Sequence, residues 1–104
     1  MTQQRPSVGR IVHYRLSEQD ADAINRRRVD FQQSGVAHQR TGVVGHVGNH
    51  AEAGETFPAV IVRVWEEPTV TVNLRVLLDG NDTLWATSRA EGSEPGAWAW
   101  PPRA

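Results

Sequence analysis

Cysteine is absent from this chain of 104 residues, so disulfides, thiolate metal sites and thiol nucleophiles are excluded. Lysine is absent as well, which makes arginine the source of all 11 basic residues and excludes chemistry through a lysine Schiff base. The sequence also lacks the run of about 20 apolar residues that a membrane span requires. Its first residues lack the apolar stretch that is typical of a signal peptide. We therefore expect a single cytoplasmic domain without a membrane contact.

An excess of charge of either sign is also missing. The 11 basic and 12 acidic residues give a formal net charge of -1. This near-neutral balance argues against a nucleic-acid partner, because such proteins usually carry a clear positive charge. Every cation is a guanidinium, whose planar fork suits phosphates, carboxylates and aromatic faces.

Alternation of apolar and polar residues predicts strands along most of the chain. In 57–65, for example, strict alternation places Val62 and Val64 on the same face. Turn signals separate the alternating segments about every 8–12 residues, which is typical of sandwiches and barrels. A single small sheet has to curl to bury its apolar face, so the sequence predicts a mainly β fold, a small SH3-like antiparallel barrel. The predicted strands cover 8–15, 57–65, 69–78, 83–88 and 97–100.

One helix, at about 17–33, is predicted after the first strand. Ser17 and Asp20 resemble a capping box, with aspartate in the place usually held by glutamate or glutamine. Ala21 and Ile24 begin a thin apolar stripe at helical spacing, and Gly35 is a natural stop. The run of arginines at 26–28 is interpreted as a solvated helix face rather than a nucleic-acid contact.

The rest of the chain is assigned to a tail and loops. Residues 1–7 are predicted to be a flexible tail, and 8–104 a single small barrel domain. The segment 35–56 holds five of the nine glycines. It fits either two reverse turns with a short strand pair or a mobile loop.

Catalytic and metal-binding patterns are not found in the sequence. His46 and His50 are four residues apart, but the glycines around them argue against a helix and therefore against a helical zinc pair. The acidic turn 79–82 has the spacing of a hairpin rather than of a calcium loop. The serines lie in no nucleophile elbow, and the glycines form no phosphate loop. We therefore expect a protein that is not an enzyme and uses no metal or cofactor.

Tryptophan and arginine supply the candidate ligand-binding residues. Trp98 and Trp100 share one predicted strand face and could form a stacking platform for a base. Asn73 and Arg75 are predicted to point outward, and strand arginines could meet phosphates. Two of the four tryptophans could instead be core residues, and the arginines could pair with surface carboxylates. The candidate ligand-binding residues are Tyr14, Arg63, Trp65, Asn73, Arg75, Trp85, Trp98 and Trp100.

Four motifs make the chain resemble a family of short, mostly uncharacterised proteins of phages and prophages. They are VGRIVHY at 8–14, GETFPAVIVRVW at 54–65, VNLRVLLDGNDTLWATS at 72–88 and PGAWAWPPR at 95–103. The resemblance covers about 6–103. It implies a phage accessory protein, similar in style to the anti-CBASS sponges that bind cyclic nucleotide signals.

This resemblance implies sequestration of a nucleotide-like immune signal in the host cytoplasm, with no bond broken. Such binding has to be tight, and one shallow barrel face supplies little burial, so a homo-oligomer is expected. The alternative is a phage structural, assembly or protein-interaction module without a small-molecule ligand. A nucleic-acid-binding small barrel is a third hypothesis, against which the near-neutral charge speaks.

Overall fold

Five antiparallel strands form one sheet, and a single helix follows the first strand. The computed structural model describes residues 4–33 and 47–102. The strand order across the sheet is β4-β3-β2-β1-β5. The elements are β1 (Ile11–Arg15), α1 (Glu18–Gln33), β2 (Thr56–Trp65), β3 (Thr71–Leu77), β4 (Thr83–Arg89) and β5 (Trp98–Ala99).

The prediction of a mainly β fold with one helix inserted after the first strand is confirmed. The sheet is not a closed barrel, because β4 and β5 are its two edges. An isolated parallel bridge joins Glu91, just after β4, to Trp98 in β5. The backbone N–H of Gly92 donates to the carbonyl of Trp98 at 2.8 Å. The two edges therefore approach each other without forming a ladder, and the SH3-like barrel stays partly open.

One face of the sheet, which we call the inner face, forms the hydrophobic core with α1. Ile24 of the helix is completely buried in this core. Burial of this kind of aliphatic side chain stabilises a fold by roughly 1.5–3 kcal/mol each. The inner face comprises Val12, Tyr14, Ala59, Ile61, Val72, Leu74, Val76 and Ala86.

A bulge in β2 corrects the strict alternation expected for this strand. The register against β3 shifts between Ile61 and Arg63. An extra residue in a ladder reverses which side the following side chains take. Val62 is therefore exposed, while Val64 packs against the core. The prediction that Val62 and Val64 share a face is wrong for this reason.

The amino-terminal end of α1 is fixed by the predicted capping box. The backbone N–H of Asp20 donates to Ser17 Oγ at 3.1 Å, and the Ser17 N–H donates to Asp20 Oδ2 at 3.0 Å. Arg89 of β4 also pairs with Asp20, at 3.5 Å between Nη2 and Oδ1. The cap therefore links the helix to the sheet as well as satisfying its first N–H groups.

Arg28 corrects the expectation of a fully solvated arginine run on the helix. Its side chain is buried and makes two bonds to Asp82, Nε to Oδ2 at 3.1 Å and Nη2 to Oδ1 at 2.9 Å. Arg28 also donates to the carbonyl of Asn49. Arg27 pairs with the same carboxylate at 3.5 Å. The helix is thus joined to the turn between β3 and β4.

Backbone packing around this ion pair requires glycine. Gly48 and Gly80 form an isolated bridge. A Cβ at Gly48 would lie 2.6 Å from the carbonyl oxygen of Asp79, which is too close for any side chain. The described part of the predicted glycine-rich loop, 47–55, contains no strand. The rest of that loop prediction, at 35–46, lies outside the described residues, as do residues 1–3 of the predicted tail.

Replacing Trp98 by alanine should reduce the free energy of unfolding by about 3–5 kcal/mol, because its ring is 1% exposed and fills the core. Trp98→Phe, which keeps much of the volume, should cost less and remain measurable if the alanine variant does not fold. Urea denaturation checks both. Trp85→Ala is the matched control and should change stability little, since Trp85 is 63% exposed. Equal losses at the two positions would contradict the core assignment.

The ion pair should make stability depend on pH in the acid range. Burial raises the pKa of Asp82, but the hydrogen bonds and charge of Arg28 and the charge of Arg27 outweigh it, and the pKa lies below its ordinary value of 3.8. A lowered folded-state pKa contributes stability above the unfolded pKa that is lost as the pH falls through the folded one.

At neutral pH, Asp82→Asn should therefore be less stable than the natural chain by about 3 kcal/mol, because a buried guanidinium loses its counter-charge. The difference in unfolding free energy should shrink below about pH 4. Urea titrations at several pH values measure it. Asp22→Asn, which removes an exposed helix carboxylate, is the control. A difference that stays constant down to the acid limit would be evidence against this ion pair.

Candidate functional site

The side of the sheet opposite the core is called the outer sheet face here, and it carries five of the eight candidate ligand residues. Because successive side chains alternate, the buried inner positions leave their neighbours on this side. The register pairs Arg63 with Asn73 and Arg75 with Trp85. The five residues are Arg63, Trp65, Asn73, Arg75 and Trp85.

A row of outward side chains crosses four strands at the level of Arg75. Val60 pairs with Arg75 on one side and with Ile11 on the other, and Trp85 completes the row on β4. Trp85 and Ile11 are the most exposed large apolar side chains of these strands. Arg75 Nη1 donates to Thr83 Oγ1 at 3.3 Å, its one hydrogen bond at the guanidinium among the described contacts. The row offers an open indole face beside a cation.

A second cluster on the outer sheet face, next to this row, consists of Arg63, Trp65 and Asn73. The guanidinium of Arg63 stands over the ring of Trp65, 4.2 Å from its centroid. The indole Nε1–H of Trp65 donates to Asn73 Oδ1 at 3.1 Å. The bulge before Arg63 turns both β2 side chains outward. Trp65 is therefore held by a hydrogen bond on its edge and by a cation on its face.

Asn73 has a structural role that alternation alone does not reveal. The same Oδ1 accepts a bond from the backbone N–H of Ser88 at 2.8 Å. Ser88 has a φ of 55°, in the left-handed region. It lies at the register shift between β3 and β4. The amide of Asn73 thereby stabilises this irregularity. The side chain lies on the predicted outward side of β3, but these contacts bury it.

The other candidate residues lie away from the outer sheet face. Tyr14 is buried, and its hydroxyl donates to Asp20 Oδ2 at 2.5 Å. Burial, together with that hydrogen bond, raises the pKa of Tyr14 above its ordinary value. Trp98 is buried in the core and meets Trp100 edge to face, with ring centroids 5.4 Å apart at 89°. The pair does not form the stacking platform expected from the sequence, because the Trp98 ring is buried and the two rings are perpendicular.

Trp100 instead borders a cavity beside β1 and β5. The cavity has a volume of about 240 Å³ and is lined in part by His13, Arg15 and Trp100. Arg15 is held there by two carbonyls, with its Nη1 donating to Ser93 at 2.8 Å. The guanidinium carbon of Arg10 lies over the Trp100 ring, 4.9 Å from its centroid. The cavity is too small for a dinucleotide, since drug-sized ligands occupy about 300–1,000 Å³.

Charge is distributed unevenly between the sheet and the rest of the molecule. The strands β1–β5 contain four arginines and no aspartate or glutamate. Three of these arginines, at 15, 63 and 75, lie on the outer sheet face, while Arg89 points to Asp20. The acidic residues are found in α1 and in the connections. The net charge of the chain therefore does not describe the charge of this face.

The described residues form neither a cluster of metal ligands nor a membrane-spanning helix. Among residues 4–33 and 47–102, no group of three or more histidine or carboxylate side chains could hold a metal ion. Within the same residues, no helix is both long and apolar enough to cross a membrane. Comparison of the chain with protein-family models, curated proteins and solved structures found no match.

Replacing Asn73 by alanine should lower the free energy of unfolding by about 1–3 kcal/mol, since the Ser88 N–H and the Trp65 indole N–H both lose their acceptor in a part-buried site. Urea denaturation gives the loss. The emission of Trp65 should also change, because its indole N–H is released. Thr87→Ala, an exposed change on the neighbouring strand, is the control. Unchanged stability would mean that Asn73 does not hold the bulge.

Proposed function

We propose that this protein is a non-enzymatic module that binds a nucleotide-like ligand on its outer sheet face. The observation that carries the proposal is the pairing of Trp85 with Arg75 across neighbouring strands. An exposed indole can stack on a base, and the adjacent guanidinium fork can pair with a phosphate. Residues directly opposite each other in a ladder have Cβ atoms about 5 Å apart, which suits contacts to one nucleotide.

Arg63 supplies a second cation for the same ligand. It lies opposite Asn73, two residues from Arg75 along β3, so the two arginines are diagonal neighbours. Such positions are about 7–8 Å apart. A ligand with two phosphates could therefore be held at both points. The absence of carboxylates from the strands supports the binding of an anion here, because no negative charge in the strands opposes it.

In the phage setting that the sequence resemblance implies, this binding would withdraw a cyclic nucleotide signal from host effectors in the cytoplasm. The outer sheet face is open, and tight binding needs more burial than an open face supplies. A second copy of the chain facing the first would cover the ligand. The homo-oligomer expected from the sequence is therefore part of this proposal.

A second function, binding to a protein partner, is supported by the apolar members of the same face. Ile11 and Leu77 are exposed on the same face as Trp85. Aromatic and arginine residues with few carboxylates are typical of the centre of protein interfaces. This is the structural or interaction module considered as the alternative, and it requires no small-molecule ligand.

A thermal-shift screen with cyclic di- and trinucleotides, linear nucleotides and ADP-ribose distinguishes the two functions. A compound present at about 100 times its dissociation constant adds about 2.7 kcal/mol, which raises Tm on the order of 10 °C. Recovery of the compound unchanged excludes turnover. Light scattering reports the oligomeric state. A flat response from folded protein would favour the protein partner.

With a binding nucleotide, Trp85→Ala should remove about 1–3 kcal/mol of the binding free energy, because the stacking face is lost. Isothermal titration measures this loss. Val29→Ala, an exposed apolar change on α1, is the matched control and should bind normally. Equal affinity of Trp85→Ala and the natural chain would remove the outer sheet face from the proposal.

A further inference from the structure

We infer that the ligand of the outer sheet face is a single-stranded nucleic acid, lying diagonally over β2, β3 and β4, rather than a free nucleotide. This inference rests on the proposed function, because it uses the same face and the same stacking and phosphate contacts. It goes further by assigning a polymer as the ligand. Three features of the structure support it: the distance between the two exposed tryptophans, the position of the Arg63 guanidinium over the Trp65 ring, and the absence of carboxylates from the strands.

The two exposed tryptophans of the face are too far apart for one nucleotide. Trp65 pairs with Thr71 and Trp85 pairs with Arg75, so the rings belong to β2 and β4, on either side of β3. With a strand spacing of about 4.8 Å and a rise of about 3.4 Å per residue, their Cα atoms are about 17 Å apart. Several linked nucleotides can reach both rings, with Arg75 beside Trp85 at one end for a phosphate and Arg63 on the way to Trp65 at the other.

Arg63 adds a stacking surface at the far end of this path. Its guanidinium covers the face of Trp65 at 4.2 Å from the centroid. Bases of single-stranded nucleic acids stack on guanidinium planes as well as on aromatic rings. A base at this end therefore meets a flat cation already held in place, while a base at Trp85 meets a bare indole.

The charge pattern favours a polyanion that crosses the strands. No carboxylate lies in any of the five strands, whereas Glu66 and Glu67 follow β2 and Asp79 follows β3. A phosphate chain running off the strand ends would meet these acidic turns. A chain running diagonally from Trp65 on β2 to Trp85 on β4 meets Arg63 and Arg75 instead. The face can therefore attract a polyanion although the chain as a whole has a net charge of -1.

Fluorescence anisotropy with labelled thymidine oligomers tests the inference, and thymidine monophosphate is the competitor. Affinity should rise from about two to about four nucleotides and then level off, since single small β domains cover about four or more nucleotides. The monophosphate should compete weakly. With about two phosphates contacted, the slope of log K against log salt should be about -1.4.

Variants assign the binding to the face. Trp85→Ala should weaken the binding of the longer oligomer about 5- to 150-fold. Arg75→Gln should weaken it and reduce the salt slope by about 0.7. Arg26→Gln, which removes an exposed arginine from α1, is the matched charge control and should have a smaller effect on both.

The outcomes separate this inference from the proposed function. Tight, length-dependent oligomer binding that is lost in Trp85→Ala supports both. A cyclic or linear nucleotide that binds through Trp85 as tightly as the oligomers do would overturn the inference and leave the proposed function standing. Oligomer binding that Trp85→Ala and Arg75→Gln leave unchanged would overturn the inference. Absence of binding by either ligand class to the folded protein would overturn both.

Discussion

The buried ion pair between Arg28 and Asp82 is the contact on which the arrangement of helix and sheet depends. It joins the middle of α1 to the turn between β3 and β4, and Asn49 of the preceding connection bonds to the same guanidinium. A buried charge without its partner is costly, so the helix cannot slide along the sheet without losing this pair. The glycines at 48 and 80 let the two connections approach closely enough to enclose it.

The same helix is fixed at its other end by Asp20, which contacts Ser17, Tyr14 and Arg89 at once. These polar contacts hold α1 on the inner face and leave the outer sheet face without a helix among the described residues. Two register shifts, one in β2 before Arg63 and one between β3 and β4 at Ser88, then determine which side chains lie on that face. One turns Arg63 and Trp65 outward, and the other is stabilised by Asn73, which also bonds to Trp65.

Local pattern was sufficient to predict the strands and the helix, because alternation and capping are properties of neighbouring residues. The bulge at Val62 was not predictable in this way, since an extra residue in a ladder depends on the partner strand. Arg28 looked like part of a solvated run because its carboxylate partner is 54 residues away. Trp98 and Trp85 looked equivalent in sequence, although one lies in the core and the other in solvent.

The candidate site also depends on contacts between residues that are distant in sequence. Arg63, Arg75 and Trp85 were selected by residue type, but their placement on one face follows from strand pairing across β2, β3 and β4. Tyr14 was selected for the same reason and is a core residue bonded to Asp20. The net charge of the chain does not reveal that the carboxylates lie outside the strands, because it contains no positional information. Once strand boundaries are assigned, the sequence alone is enough to see it.

The separation of acids from the strands also gives the molecule a permanent electric dipole. A weakly anionic protein with a cationic sheet face turns that face toward a negatively charged surface as it diffuses. Its behaviour in ion-exchange chromatography then follows the local patch rather than the total charge. We expect retention on a cation-exchange resin at a pH above the isoelectric point, where a protein with evenly mixed charges would pass through.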